Sequence, residues 1–212
     1  MLLIIVALLV SYLVGSIPTA YLFGKALKGI DIRKTGSGNV GATNALRVLG
    51  KRVGITVLIL DILKGLIVVS LLANFFVKQP VLWQTQNLRI IMGLCCICGH
   101  NWTIFLQFKG GKGIATSFGV LLGLALYIAN LNIVVGLIIL SWFLVFFSFR
   151  IVSLASIITA LVLPVYSVFF RQPPLLIGLS LLLCLFVTLR HKANLVRIFQ
   201  GKEPRLYFKQ TK

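Results

Sequence analysis

Residues 133–170 read IVVGLIILSWFLVFFSFRIVSLASIITALVLPVYSVFF, and Arg150 is the one charged side chain among them. Two apolar runs, 133–149 and 151–170, therefore flank a single basic residue. Each is close to the ~20 apolar residues that an α-helix needs to cross a bilayer. Working outward, comparable runs recur at about 1–23, 53–77, 88–108, 114–129 and 175–189, which makes seven. The chain as a whole has 212 residues, 59% of them hydrophobic and 11% charged, with a mean hydropathy of +1.05. A soluble domain carries about a quarter charged residues, so the sequence predicts an all-α integral membrane protein of about seven transmembrane helices. The spans and their loops use up the length, and one polytopic membrane domain over 1–212 is expected. The first run lacks a basic start and a small-residue cleavage site, and it reads as a retained span and not as a signal peptide.

Charge fixes the expected orientation. Lys and Arg number 21 against three acids, Asp31, Asp61 and Glu203, for a formal charge of +18. Lys25, Lys28, Arg33, Lys34, Arg47, Lys51 and Arg52 fall between the first two runs, two lysines lie at 109–112, Arg150 forms a turn, and seven cations follow residue 189. With the N-terminus outside and the C-terminus cytosolic, these 17 of 21 face the cytosol, as the positive-inside rule requires. Lys78 and Arg171 fall on outer loops, Arg89 at a span edge and Lys64 within a span. Nucleic acid is disfavoured as a partner, because the cations sit in short loops between spans and no soluble fold carries them into a groove. The four cysteines, Cys95, Cys96, Cys98 and Cys184, lie in apolar runs and read as small core residues; the chain lacks the further ligands that a zinc site needs, and no metal site is expected.

Two glycine-rich stretches interrupt the apolar pattern. The first, TGSGNVGATNALR at 35–47, surrounds Gly36, Gly38 and Gly41 with Ser37, Asn39, Thr43, Asn44 and Arg47. Backbone N–H groups without side chains in the way can converge on an anion, and Arg47 can grip a phosphate with two parallel hydrogen bonds. Its literal G-x-G-x-x-G has no strand before it, so a dinucleotide fold is excluded. The second, FKGGKGIATS at 108–117, stands where a span begins, so that a helix N-terminus and Lys112 together favour an anion. A tight turn bearing two positive-inside lysines would look the same locally.

His100 and Asn101 end the third run, and Arg190, His191, Lys192 and Asn194 follow the seventh. If these ends converge on the glycine stretches, they form one cationic pocket. Asp61 and Lys64 stand three apart on one helical face within a span; both read as supporting residues, Asp61 as structural and Lys64 as either its ion-pair partner or a substrate contact. No Ser, Cys or Thr stands beside a His in a nucleophile motif, and H-x-x-x-x-D is absent. Catalysis here would rest on orientation and electrostatics acting on a substrate that arrives activated.

The runs GSIPTAYLFGK (15–25), GSGNVGATNALRVLG (36–50), DILKG (61–65), GHNWTIFLQFKGGKGIATSFG (99–119), SLAS (153–156) and RHKANLVRIFQGKEP (190–204) resemble, in order, the signatures of the bacterial acyl-phosphate:glycerol-3-phosphate acyltransferases. The resemblance implies a multi-pass enzyme of the bacterial plasma (inner) membrane. It would move a fatty acyl group from acyl phosphate to the 1-hydroxyl of glycerol 3-phosphate, giving lysophosphatidic acid and inorganic phosphate in phospholipid synthesis. No cofactor and no covalent acyl-enzyme are implied, and the partners are the two substrates and the lipid bilayer. On this reading Ser37, Arg47, Lys112, His191 and Asn194 hold phosphates, with Gly36, Gly38 and Gly41 as backbone donors. Asn39, Thr43, Asn44, His100, Asn101 and Ser153 orient the glycerol hydroxyl or the carbonyl, and a substrate phosphate takes the proton. A transporter of an organic phosphate is the rival from another class, and a lipid-binding scaffold is a second. Cations gathered at one face, and two polar glycine stretches, argue against both.

Overall fold

The computed structural model describes residues 1–77 and 84–206, and among these every regular element is helical. The elements are α1 (Leu2–Ser16), α2 (Thr19–Lys28), α3 (Ala42–Leu49), α4 (Lys51–Ile67), α5 (Ala73–Val77), α6 (Thr85–Asn101), α7 (Ile114–Leu124), α8 (Leu131–Phe149), α9 (Val152–Phe169), α10 (Pro174–Arg190) and α11 (Lys192–Phe199). Each of the seven apolar runs contains helix, although the run at 114–129 is α-helical only to Leu124 and the run at 88–108 only to Asn101. Among the described residues five stretches are long and apolar enough to cross a membrane, or six if α10 and α11, bent by 61° at their junction, count as one span. Helix α7 has 11 residues, about 16 Å of rise, because tighter bonds such as Leu126 N–H to the Gly123 carbonyl and Tyr127 N–H to the Leu124 carbonyl end it early. Lys78, expected on an outer loop, lies outside the described residues.

Two compact units result, Met1–Ile128 and Ala129–Lys212. In the first, α1 turns Leu2, Ile5, Leu9 and Leu13 outward and buries Ile4, Ala7, Ser11 and Gly15. Small residues inward and large apolar ones outward is the pattern of a helix that packs on protein by one stripe and meets lipid by the other. The inward stripe docks on α6 so closely that a Cβ on Gly15 would collide with the Cys96 carbonyl, and one on Gly99 with the Tyr12 carbonyl. Helices α4 and α7 meet in the same way, Gly65 against the Thr116 carbonyl and Gly119 against the Ile62 carbonyl.

Pro18 breaks the first span between α1 and α2, since its ring supplies no N–H to the preceding turn. The exposed carbonyls are used: Thr103 Oγ1 donates to the Ser16 carbonyl at 2.6 Å, and Lys64 Nζ to the Ile17 carbonyl at 3.3 Å. Between α4 and α5 the chain widens into a π-helical turn at Val68–Leu72. Arg89, placed by the sequence at a span edge, is buried there: Nη1 donates to the Val69 carbonyl at 2.8 Å, Nη2 to Asn74 Oδ1 at 2.6 Å, and the guanidinium stacks 3.7 Å from the Tyr127 ring.

In the second unit α8 and α9 pair as a hairpin. Arg150, in the left-handed region at φ 60°, makes the turn, and Trp142 stacks on Phe146 along α8 at 5.0 Å. Helix α10 packs on α9, and the chain bends at His191 into α11. The segment after α11 folds back, so that the Leu206 N–H reaches the Arg150 carbonyl at 2.8 Å.

Candidate active site

The first glycine stretch is built around Asn44, which is buried in the first turn of α3. Its Nδ2 donates to the carbonyls of Ile32, Thr35 and Asn39 at 3.2, 3.1 and 3.0 Å, and its Oδ1 accepts the Ser37 N–H at 2.8 Å. The side chain expected to orient substrate is thus spent on the loop itself. Gly36, at φ +60°, leaves room for it, since a Cβ there would collide with Asn44 Oδ1. The Gly38 N–H, expected to face an anion, is donated to the Thr35 carbonyl at 3.1 Å. What the loop offers outward is the hydroxyl of exposed Ser37, half-buried Asn39 and Thr43, and the exposed guanidinium of Arg47. Arg47 makes no ion pair among the described residues.

Beneath the loop, Ile32, Val40 and Ala45 belong to one buried apolar cluster with Ala20, Val57 and Leu106. Leu106 lies in the segment that leads to the second glycine stretch, so the two stretches share a foundation. In that second stretch the Gly110 N–H donates to the Asn101 carbonyl at 3.2 Å and the Gly111 N–H to the His100 carbonyl at 3.0 Å. These glycines serve close approach to the end of α6, where a Cβ on Gly111 would collide with His100 Nε2. Lys112, half-buried, then precedes α7. Asn101 Oδ1 and Nδ2, Thr116 Oγ1 and Ser117 Oγ are buried here without a hydrogen-bond partner. An unsatisfied buried polar group costs about 1–3 kcal/mol, and four such atoms lie on the end of α6 and the first turns of α7.

Against the same end of α6 lies a buried polar chain. Thr19 Oγ1 donates to Asp61 Oδ1 at 2.7 Å, Lys64 Nζ pairs with Asp61 Oδ1 at 2.9 Å, and Lys64 Nζ lies 2.7 Å from His100 Nδ1. The expected pairing of Asp61 with Lys64 is present, and its extension to Thr19 and His100 is new. Thr19 gave no signal in the sequence beyond its place after Pro18.

The second unit holds Ser153, His191 and Asn194, all buried. Ser153 Oγ donates to Glu203 Oε1 at 2.7 Å, Asn194 Nδ2 to the same oxygen at 2.5 Å, and Arg197 Nε to Oε2 at 2.7 Å. Burial raises the Glu203 carboxyl, but these three donors outweigh it and hold it below the usual carboxylate range. His191 Nδ1 lies 2.8 Å from the Val187 carbonyl; a carbonyl only accepts, so Nδ1 carries a proton. Sequence reasoning counted Glu203 and Arg197 among the charges of the tail signature and gave neither a role. That three acids serve a chain of +18 was the available sign that each is committed.

Helices sheathed in apolar residues, with polar groups gathered at two glycine-rich stretches, define a multi-pass membrane protein. The family model described as glycerol-3-phosphate acyltransferase matches residues 5–201, and the chain belongs to that family; it is an acyltransferase of phospholipid synthesis. The glycerol-3-phosphate acyltransferase of Synechocystis sp. is 41% identical over 97% of this chain and 92% of its own length. That of Staphylococcus haemolyticus is 43% identical over 96% and 98%. The crystal structure of PlsY (YgiH), an integral membrane glycerol 3-phosphate acyltransferase, in its glycerol 3-phosphate form is similar at a TM-score of 0.83 and 33% identity, covering 96% of each chain. Its lysophosphatidic acid form gives 0.80 and 32%, covering 96% of this chain and 95% of that one.

Proposed function

We propose that this chain transfers a fatty acyl group from acyl phosphate to the 1-hydroxyl of glycerol 3-phosphate, giving lysophosphatidic acid and inorganic phosphate. The setting is a bacterial plasma membrane with the N-terminus outside and the glycine stretches in the cytosol. The observation that carries the reading is that every acidic side chain is committed: Asp31 to Arg33 at 2.7 Å, Asp61 to Lys64 at 2.9 Å and Glu203 to Arg197 at 2.7 Å. A protein whose acids are all paired is poorly equipped to supply a general base or a carboxylate nucleophile. An acyl phosphate needs neither, because it is a mixed anhydride with a good leaving group. The hydroxyl oxygen attacks the acyl carbon, the carbon–oxygen bond to phosphate breaks, and the departing phosphate takes the hydroxyl proton.

In this mechanism the protein binds and orients. Arg47, Ser37 and Lys112 grip phosphates through charge-assisted hydrogen bonds, helped by the N-terminus of α7 and by the backbone at Gly36 and Gly41. Asn39, Thr43, Asn101 and His100 orient the glycerol or the carbonyl, His191 binds phosphate, and Ser153 and Asn194 act one step back by holding Glu203. Asn44 and Gly38 act one step back by holding the loop in shape. Purified protein given palmitoyl phosphate and glycerol 3-phosphate should release phosphate and form lysophosphatidic acid. Turnover with acyl-CoA and none with acyl phosphate would overturn the reading.

A further inference from the structure

The Asp61–Lys64 pair does more than neutralise two buried charges. An ammonium has donors only, and Lys64 Nζ sits 2.7 Å from His100 Nδ1. That nitrogen must therefore accept, and in the neutral ring the proton is left on Nε2. His100 Nε2 in turn lies against Gly111 of the second glycine stretch, close enough that a methyl group there could not be accommodated. On the other side, Lys64 is itself fixed by Asp61 Oδ1 at 2.9 Å and the Ile17 carbonyl at 3.3 Å, with Thr19 Oγ1 steadying Asp61 at 2.7 Å.

We propose that Lys64 is a positioning residue: held by Asp61, Thr19 and the helix break at Ile17, it locks His100 in the Nε2–H tautomer and aims that donor at the Gly110–Gly111 turn. His100 then works as a neutral hydrogen-bond donor, and it is not a proton acceptor in the reaction. The chain of contacts runs from α2 through α4 to the end of α6, so the setting of the second glycine stretch is tied to the broken first span. Only the choice of activity assay rests on the function proposed above.

The test is nitrogen-15 NMR of protein labelled at histidine, with His191→Gln used to assign the two rings. The expected spectrum of the wild type has His100 Nδ1 unprotonated and hydrogen-bonded and Nε2 protonated. Removing Lys64 alone strands a buried Asp61, so the informative variant is Asp61→Asn with Lys64→Met, which deletes both charges together. Its His100 should show mixed tautomers while the protein stays monodisperse. Its kcat/KM should fall roughly tenfold or more, by analogy with the partners that orient metal-bound histidines. Lys64→Arg, which keeps a cationic donor beside Asp61, should retain the Nε2–H tautomer. A wild-type His100 protonated on Nδ1, or one whose tautomer is unmoved by the double change, would overturn the proposal. Because the spectra need no substrate, failure of the acyl-phosphate assay would leave this result standing, and the reverse holds as well.

Discussion

Asn44 Oδ1 accepts the backbone N–H of Ser37 at 2.8 Å, so that a buried amide on α3 holds in place the serine expected to meet phosphate. The same side chain ties three carbonyls of the loop. Replacing it by alanine strands several buried groups at once, each worth about 1–3 kcal/mol. Asn44→Ala should lower the thermal midpoint in detergent by several degrees and abolish most turnover. Asn44→Asp keeps the acceptor for Ser37 but loses the donors, and it should recover little of either.

Arg47 and Lys112 are assigned to phosphate contacts, for which charge-assisted hydrogen bonds are worth about 1.5–3 kcal/mol. Arg47→Ala and Lys112→Ala should each raise the KM for a phosphorylated substrate by about ten- to a hundredfold, with unfolding curves close to wild type. Steady-state kinetics against glycerol 3-phosphate and acyl phosphate in turn assigns each cation to its substrate. Unchanged constants for both would remove that residue from the site.

The close helix crossings predict a sharp contrast between glycines. A Cβ on Gly65 would strike the Thr116 carbonyl, whereas one on Gly136 of α8 meets nothing within 4 Å. Gly65→Ala should therefore destabilise the protein by about 1–3 kcal/mol or prevent its assembly. Gly136→Ala should be neutral or gain a few tenths of a kcal/mol from helix propensity. Thermal unfolding in detergent reads both.

Glu203 gives an acid-side signature. Its carboxyl is held below its usual value of 4.5, so its contribution is complete above about that pH and is lost as the pH falls toward the folded value. Asp31, held at about 2 chiefly by the Arg33 side chain, loses its share over a window starting lower, from its usual 3.8 downward. Thermal midpoints should therefore decline as the pH is lowered below about 4.5. Glu203→Gln should be less stable at neutral pH and should show a shallower decline, with the Asp31 portion remaining.

Much of the fold was legible because lipid imposes one long apolar signal per helix. The 133–170 stretch reports its hairpin directly, and each of the seven apolar runs contains a helix. The bend at His191 and the early end of α7 were not legible, because both depend on local hydrogen bonding and not on hydropathy. At the site, the residue types around the glycines were readable, yet their directions were not. Asn44 points into its own loop and Ser37 out of it, although both are small polar residues in the same stretch. The contact between Lys64 and His100 joins positions 36 residues apart, and nothing in a single sequence announces such a pairing. Glu203 was hidden for the same reason, since its partner Ser153 lies 50 residues earlier.

The interruption at Pro18 also carries an energetic consequence. A corner produced by a ring closed onto its own backbone nitrogen exists before the helices assemble, so little ordering entropy is lost in presenting the Ser16 and Ile17 oxygens to their partners. The first span thus arrives with two docking points already cut into it, and the ammonium that settles there finds its seat waiting.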